Sequence, residues 1–197
     1  MFLLWEDFLR SDYRDWRGSG HTEELLDKPE WLEQWLTIHS LPYPGAPTAK
    51  EVNELKQLRE HILHIVQKLT VNEAVDPLNL EGLNRALSSG PMILHIAESN
   101  SDFRLDTTPL QTGWSRIGAE VAASFGRLLT ESEPSRLRIC DNPDCRAVYY
   151  DETRNRSKRF CDERACGNLM KVRRFRARQK AAESGGPSNP DSPEITV

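Results

Sequence analysis

The sequence predicts an α+β fold: a mainly helical N-terminal domain with a small β-hairpin or sheet, followed by a four-cysteine module that ends in a basic helix. Three observations predict it. Apolar residues recur at helical spacing in successive segments up to Thr130; β-favouring residues interrupt them between Met92 and Thr107; and all four cysteines of the 197-residue chain lie at or after Cys140.

From Met1 to Trp16 the apolar residues Phe2, Leu3, Leu4, Trp5, Phe8, Leu9, Tyr13 and Trp16 suit a short helix or turn better than an alternating strand, and Arg17 to Gly20 reads as a loop. Asp27, three residues before Glu30 and just ahead of Pro29, signals a helix start. That helix is expected to reach about His39, with Trp31, Leu32, Trp35, Leu36 and Ile38 as one core-facing stripe. The proline-rich connector Leu41 to Pro47 is biased away from helix. Thr48 and Glu51 then form a capping box for a helix of about five turns, whose apolar positions run from Val52 through Leu55, Leu58, Ile62 and Ile65 to Leu69. His61 and His64 lie three apart on it with no further ligand nearby, which marks them as ordinary surface or partly buried histidines.

Pro77 to Ser88 gives a shorter helix with Leu78, Leu80, Leu83 and Leu87 as its apolar set, stopped by Ser89-Gly90-Pro91. Met92 to Ala97 and Phe103 to Thr107 form a hairpin, and because two strands alone are marginally stable in water, one face is expected to lie on the helices. Ser115 to Thr130 returns to helix through Ile117, Val121, Phe125 and Leu128. Glu131 to Ser135 combines charge, serine and proline where no periodicity continues. The expected division is therefore a domain at 1–130, a linker at 131–135, a cysteine module at 136–183 and a disordered tail at 184–197.

Charge is divided in the same way. Residues 136–180 hold 14 Lys and Arg against 6 Asp and Glu, a balance of +8, which leaves −12 for the rest of a chain whose net charge is −4. The basic part is the footprint of something that meets phosphate. No window approaches the ~18–20 apolar residues of a membrane span. Phe2 to Trp5 is followed at once by Glu6 and Asp7 and preceded by no basic segment, so it does not read as a signal peptide; the expected location is cytoplasmic, without a membrane partner.

Cys140, Cys145, Cys161 and Cys166 follow the pattern C-x4-C-x15-C-x4-C. Two close pairs of thiolates can surround one Zn²⁺ tetrahedrally at ~2.3 Å, a closed structural site with no position left for substrate. Such a use fits a chain without a leader better than two disulfides. A module of this size with few large apolar side chains depends on its metal, so loss of one cysteine is expected to unfold it.

With these cysteines, Tyr149-Tyr150-Asp151, the stretch Arg154 to Cys161 and Cys166-Gly167-Asn168 resemble the CGNR-type zinc finger, with Leu169 where that motif has arginine. The upstream part, through Leu25-Leu26 and Trp31 to Leu36, resembles the ABATE domain that precedes such fingers. There Asp7-Phe8 stands for a longer Leu-Asp-Phe-Val-Asn-Thr segment, and Arg10 occupies the place of its asparagine. The resemblance implies a treble-clef-like finger, with Cys140 and Cys145 on a knuckle, Ala147–Tyr150 and Ser157–Phe160 as paired strands, and Cys166 at the start of the last helix. It also implies a stress-linked transcription regulator whose N-terminal domain senses a small-molecule ligand.

On a helix from Ala165, Lys171, Arg174 and Arg178 share one face and Arg173, Arg176 and Lys180 widen the charge, while Leu169, Val172 and Phe175 are expected to face the module. Arg154, Arg156, Lys158 and Arg159 add cations just before it. These residues are the candidate nucleic-acid contacts, with DNA the favoured partner and RNA or an acidic protein surface the alternative. A nuclease is disfavoured because all five histidines, at 21, 39, 61, 64 and 95, precede the finger. No coiled-coil heptads point to an oligomeric state.

Overall fold

The computed structural model describes residues 3–99 and 102–184. It begins with α1 (Leu4–Leu9), the antiparallel pair β1 (Asp12–Arg14) and β2 (Thr22–Glu24), and a 3-10 turn at Leu25–Asp27. Helices α2 (Pro29–Ile38), α3 (Ala49–Thr70) and α4 (Pro77–Ser88) follow, then the hairpin β3 (Met92–Ser99) and β4 (Asp102–Pro109), and α5 (Trp114–Glu131). A second 3-10 turn, Pro134–Arg136, leads into β5 (Leu137–Ile139) and β6 (Val148–Tyr150), a wide π turn at Glu163–Gly167 and α6 (Asn168–Ser184). The tail expected to be disordered lies, from residue 185 on, outside the described residues.

The long helix starts as its sequence dictates. The Thr48 hydroxyl accepts from the Glu51 amide at 3.3 Å and the Glu51 carboxylate accepts from the Thr48 amide at 2.7 Å, a reciprocal cap. The start of α2 differs from expectation. Lys28 occupies its cap position without a side-chain capping bond, its ammonium pairing with Glu23 instead, and Asp27 turns away to accept from Lys56 of α3 at 2.7 Å. Pro29 remains in the first turn, where its missing N–H costs nothing.

Trp5 and Phe8 of α1, Leu32, Trp35 and Leu36 of α2, the α3 row Leu55 to Val66 and the α5 stripe Ile117, Val121, Phe125 and Leu128 bury one shared core. Trp31 stacks on Trp35 with ring centroids 5.6 Å apart, whereas Ile38 falls off the stripe and is exposed. On α4 only Leu83 of the expected apolar set is fully buried, and Leu78 and Leu80 face solvent. Gly82 explains how α4 still packs: a Cβ there would lie 2.2 Å from the His61 ring, so its bare backbone admits the imidazole, which is hydrogen-bonded to Asn79 at 3.1 Å. His61 is thus a packing residue between α3 and α4.

Two sheet features depart from the sequence reading. The loop at Arg17 to Gly20 closes a hairpin, β1–β2, that the crowded apolar residues had masked. The β3–β4 hairpin forms, with pairing from Met92↔Pro109 to Ser99↔Asp102, but its apolar residues do not lie on the helices and are open to solvent.

Candidate metal centre

Each cysteine is brought in by a different local device. Cys140 follows β5, and its amide donates to Ala147 across the end of the β5–β6 pair at 2.9 Å. Cys145 sits on a tight knuckle closed by its own amide donating to Asn142 O at 3.0 Å. Cys166 lies in the π turn ahead of α6, whose start is capped by Asp162 accepting from the Arg164 and Ala165 amides at 2.7 and 2.9 Å. Cys161 enters on the segment between them.

The four sulfurs lie within 4.8 Å of one another, Cys145 and Cys161 at 3.6 Å and Cys161 and Cys166 at 4.0 Å. Sulfurs 2.3 Å from a common tetrahedral centre stand ~3.8 Å apart, so this donor set fits one structural Zn²⁺. Among the described residues no other group of three or more His, Cys, Asp or Glu side chains converges in this way. Thiols this close perturb one another: hydrogen bonds from Cys145 and Cys161 lower the pKa of Cys140, while the bond to Cys140 raises those of Cys145 and Cys161. Binding of a divalent cation by such a set requires the thiols to give up their protons.

The scaffold around the sulfurs corrects one expectation. β6 pairs with β5, in the register Leu137↔Tyr150 to Ile139↔Val148, and Ser157–Phe160 is not a strand. That segment is held instead by the Asp141 amide donating to Arg159 O at 2.9 Å, by the Tyr149 hydroxyl donating to Lys158 O at 2.7 Å, and by Asp151. Asp151 is fully buried and accepts from the Thr153 amide and hydroxyl and from the Lys158 amide. Burial alone would raise its pKa; the three donors outweigh it and hold the carboxyl below its ordinary range.

Asn142 was not singled out by sequence reasoning, yet it is buried at the junction of finger and helical body. Its side-chain amide donates to Cys166 Sγ at 3.3 Å and to Trp16 O at 2.8 Å. Trp16 and Met170 pack against the cysteine cluster, while Leu137 and Val148 of the finger strands join the helical core. A cleft of about 690 Å³ opens at this junction, lined by Tyr13, Arg14, Trp16, Arg59 and Leu63 on one side and by Cys145, Arg146 and Cys161 on the other.

The expected nucleic-acid residues divide into two groups. Arg156 pairs with Glu133, Arg159 with Asp141 at 2.6 Å, and Arg173 with Asp144 at 2.6 Å. Lys158 lies over the Tyr149 ring at 4.9 Å. Lys171 is only loosely paired with Glu163, at 3.9 Å. Among the described residues Arg154, Arg174, Arg176 and Arg178 have no carboxylate partner, and Arg174 rests over Phe160 at 5.8 Å. Val172 and Phe175, expected against the module, are exposed; Met170 makes that contact instead.

Comparison with known proteins agrees with this geometry. A family model described as the CGNR zinc finger matches residues 136–179. A second, ABATE, described as "Putative stress-induced transcription regulator", matches residues 4–132. No curated protein matches the chain. Both matching families are regulatory or zinc-finger families, and no helix among the described residues is long and apolar enough to cross a membrane. Since the ABATE match spans well over half of the sequence and the four-cysteine cluster falls inside the second match, the chain belongs to the ABATE family and carries a CGNR zinc finger downstream of that domain.

Proposed function

We propose that the chain is a non-enzymatic, cytoplasmic, DNA-binding transcription regulator in which Cys140, Cys145, Cys161 and Cys166 hold a structural zinc and α6 meets the phosphate backbone. One observation carries this reading: from Arg174 to Ala182 every side chain of α6 is exposed, and Lys171, Arg174, Arg176 and Arg178 project from it beyond the zinc knot with at most one loose ion pair. A surface helix with no apolar face to bury and a row of cations suits a polyanion. Arg154 extends the same charge from the preceding loop. The cleft at the junction of body and finger suits the small-molecule ligand, because anything bound there touches both parts at once.

Titration of the zinc-loaded chain with duplex DNA, structured RNA and single strands at two salt concentrations tests the reading. Duplex DNA is expected to bind most tightly, with affinity falling steeply as salt rises. Arg174→Ala and Arg178→Ala are each expected to reduce that slope by about 1, as removal of one phosphate-binding cation does. A preference for structured RNA transfers the interface to the alternative partner. Binding unchanged by both substitutions removes α6 from it.

A further inference from the structure

We propose that the β3–β4 hairpin is a dimerisation element whose apolar face stacks on the same face of a second copy of this chain. The register settles which residues share that face. Met92 pairs with Pro109, Leu94 with Thr107, Ile96 with Leu105 and Glu98 with Phe103, and alternate pairs point the same way. One face therefore carries Met92, Leu94, Ile96, Leu105 and Phe103. The other carries Ile93 and Ala97 among His95, Arg104, Asp106 and Thr108, with Arg104 paired to Asp106 at 2.9 Å.

This is the inside-outside alternation of a hairpin that covers a core, yet among the described residues nothing lies against it. Leu94 is 63%, Ile96 74%, Leu105 67% and Phe103 72% exposed. An isolated two-stranded hairpin is marginal in water, and a contiguous apolar patch of this kind reaches the ~300–600 Å² upper range of ordinary monomers. A second copy is a cover that is present wherever the chain is, at equal concentration.

Area and charge both suit that occupant. Two such faces together bury on the order of 1,000 Å², near the lower bound of specific interfaces, and the flanking Leu110 and Pro109 add to it. Glu98, at the tip, is the one charged residue of the face. A twofold axis between Leu94 and Ile96 sets each Phe103 tip over the Met92 base of the other hairpin, and so places the two Glu98 carboxylates at opposite ends.

Sedimentation equilibrium of the full zinc-loaded chain tests the proposal. A mass twice 22.5 kDa is expected at micromolar concentration, with amide exchange across Met92 to Pro109 slowing as concentration rises. Leu94→Lys on one strand and Leu105→Lys on the other are each expected to give monomers that keep their zinc and helical circular dichroism. His95→Lys adds the same charge one residue away on the opposite face and is expected to stay dimeric. A wild-type chain that is monomeric up to about 100 μM overturns the proposal, as does a dimer that survives both apolar-face substitutions. A monomer whose binding to lipid vesicles disappears in Leu94→Lys also overturns it, by assigning the face to a membrane surface.

Discussion

The Arg173 guanidinium donates to the main-chain oxygen of Arg17 at 2.8 Å, joining two residues 156 apart in sequence. Its other nitrogen donates to Asp144 on the cysteine knuckle at 2.6 Å, so one side chain of α6 ties the β1–β2 loop to the finger. Gly18 keeps the approach open: its φ is +90°, and a Cβ there would stand 2.5 Å from the same guanidinium. Arg173→Ala is therefore expected to destabilise the zinc-loaded chain by roughly 1–2 kcal/mol in a urea melt, since it removes charge-assisted bonds at a half-exposed site. Arg174→Ala, with no such bonds, is expected to leave the melt unchanged. Equal losses from the two would remove the distinction between a clamp and a contact residue.

Zinc removal is expected to reach beyond the finger. Structural zinc contributes ~10–16 kcal/mol to small modules, and Leu137 and Val148 of this finger are buried among the helices of the body. Chelation, or Cys161→Ser, should lower the midpoint of the helical melt by several degrees as well as loosen α6. Trp16 packs on the cysteine cluster, so tryptophan emission should shift in the same step. A helical transition untouched by chelator would show that the two parts unfold independently.

Most helices were legible because periodicity and caps agree: Thr48 and Glu51 mark α3, and Ile117 to Leu128 mark the buried face of α5. The cysteine spacing was legible for the same kind of reason, since ligands must converge. What escaped was settled by partners distant in sequence. Asp27 had the look of a cap, but Lys56 offers it an ion pair; Arg173 had the look of a phosphate ligand, but Asp144 and the Arg17 carbonyl take its donors. Asn142 gave no local signal because its two acceptors, Cys166 and Trp16, belong to different parts of the chain. The strand pairing also depended on distance: β6 prefers Leu137–Ile139, whose apolar side chains extend the helical core, over the cationic stretch at Ser157–Phe160.

Asp151 organises the cationic loop and makes its stability depend on pH. Asp151→Ala leaves three buried-side donors without their acceptor and is expected to cost at least about 2 kcal/mol. Because the folded pKa is depressed, the ionised group stabilises fully above its unfolded value, near ~3.9, and that contribution fades as pH falls towards the lower folded value. The stability gap between wild type and Asp151→Asn, read from urea melts, should therefore be constant near neutrality and narrow below about pH 4. A gap that widened in acid would mean that the carboxyl is the protonated partner in the fold.

Arg59 provides the sharpest test of how the first hairpin is held to the helices. It is 9% exposed, donates to Glu24 at 2.7 Å and to the Ser11 hydroxyl at 2.8 Å, and makes a second bond to the other Glu24 oxygen. Glu24 also accepts from the Leu26 amide at 3.2 Å, so it caps the turn that leads into α2. Glu24→Ala strands a guanidinium away from water and removes the cap together, for an expected loss of about 3 kcal/mol or more. Arg59→Met should cost less, because the carboxylate it leaves is better hydrated and the thioether fills the space beside Leu63. The double substitution is then expected to be more stable than Glu24→Ala alone, a coupling of about 1–2 kcal/mol in a double-mutant cycle. Strict additivity would instead place the loss in the turn cap and not in the ion pair.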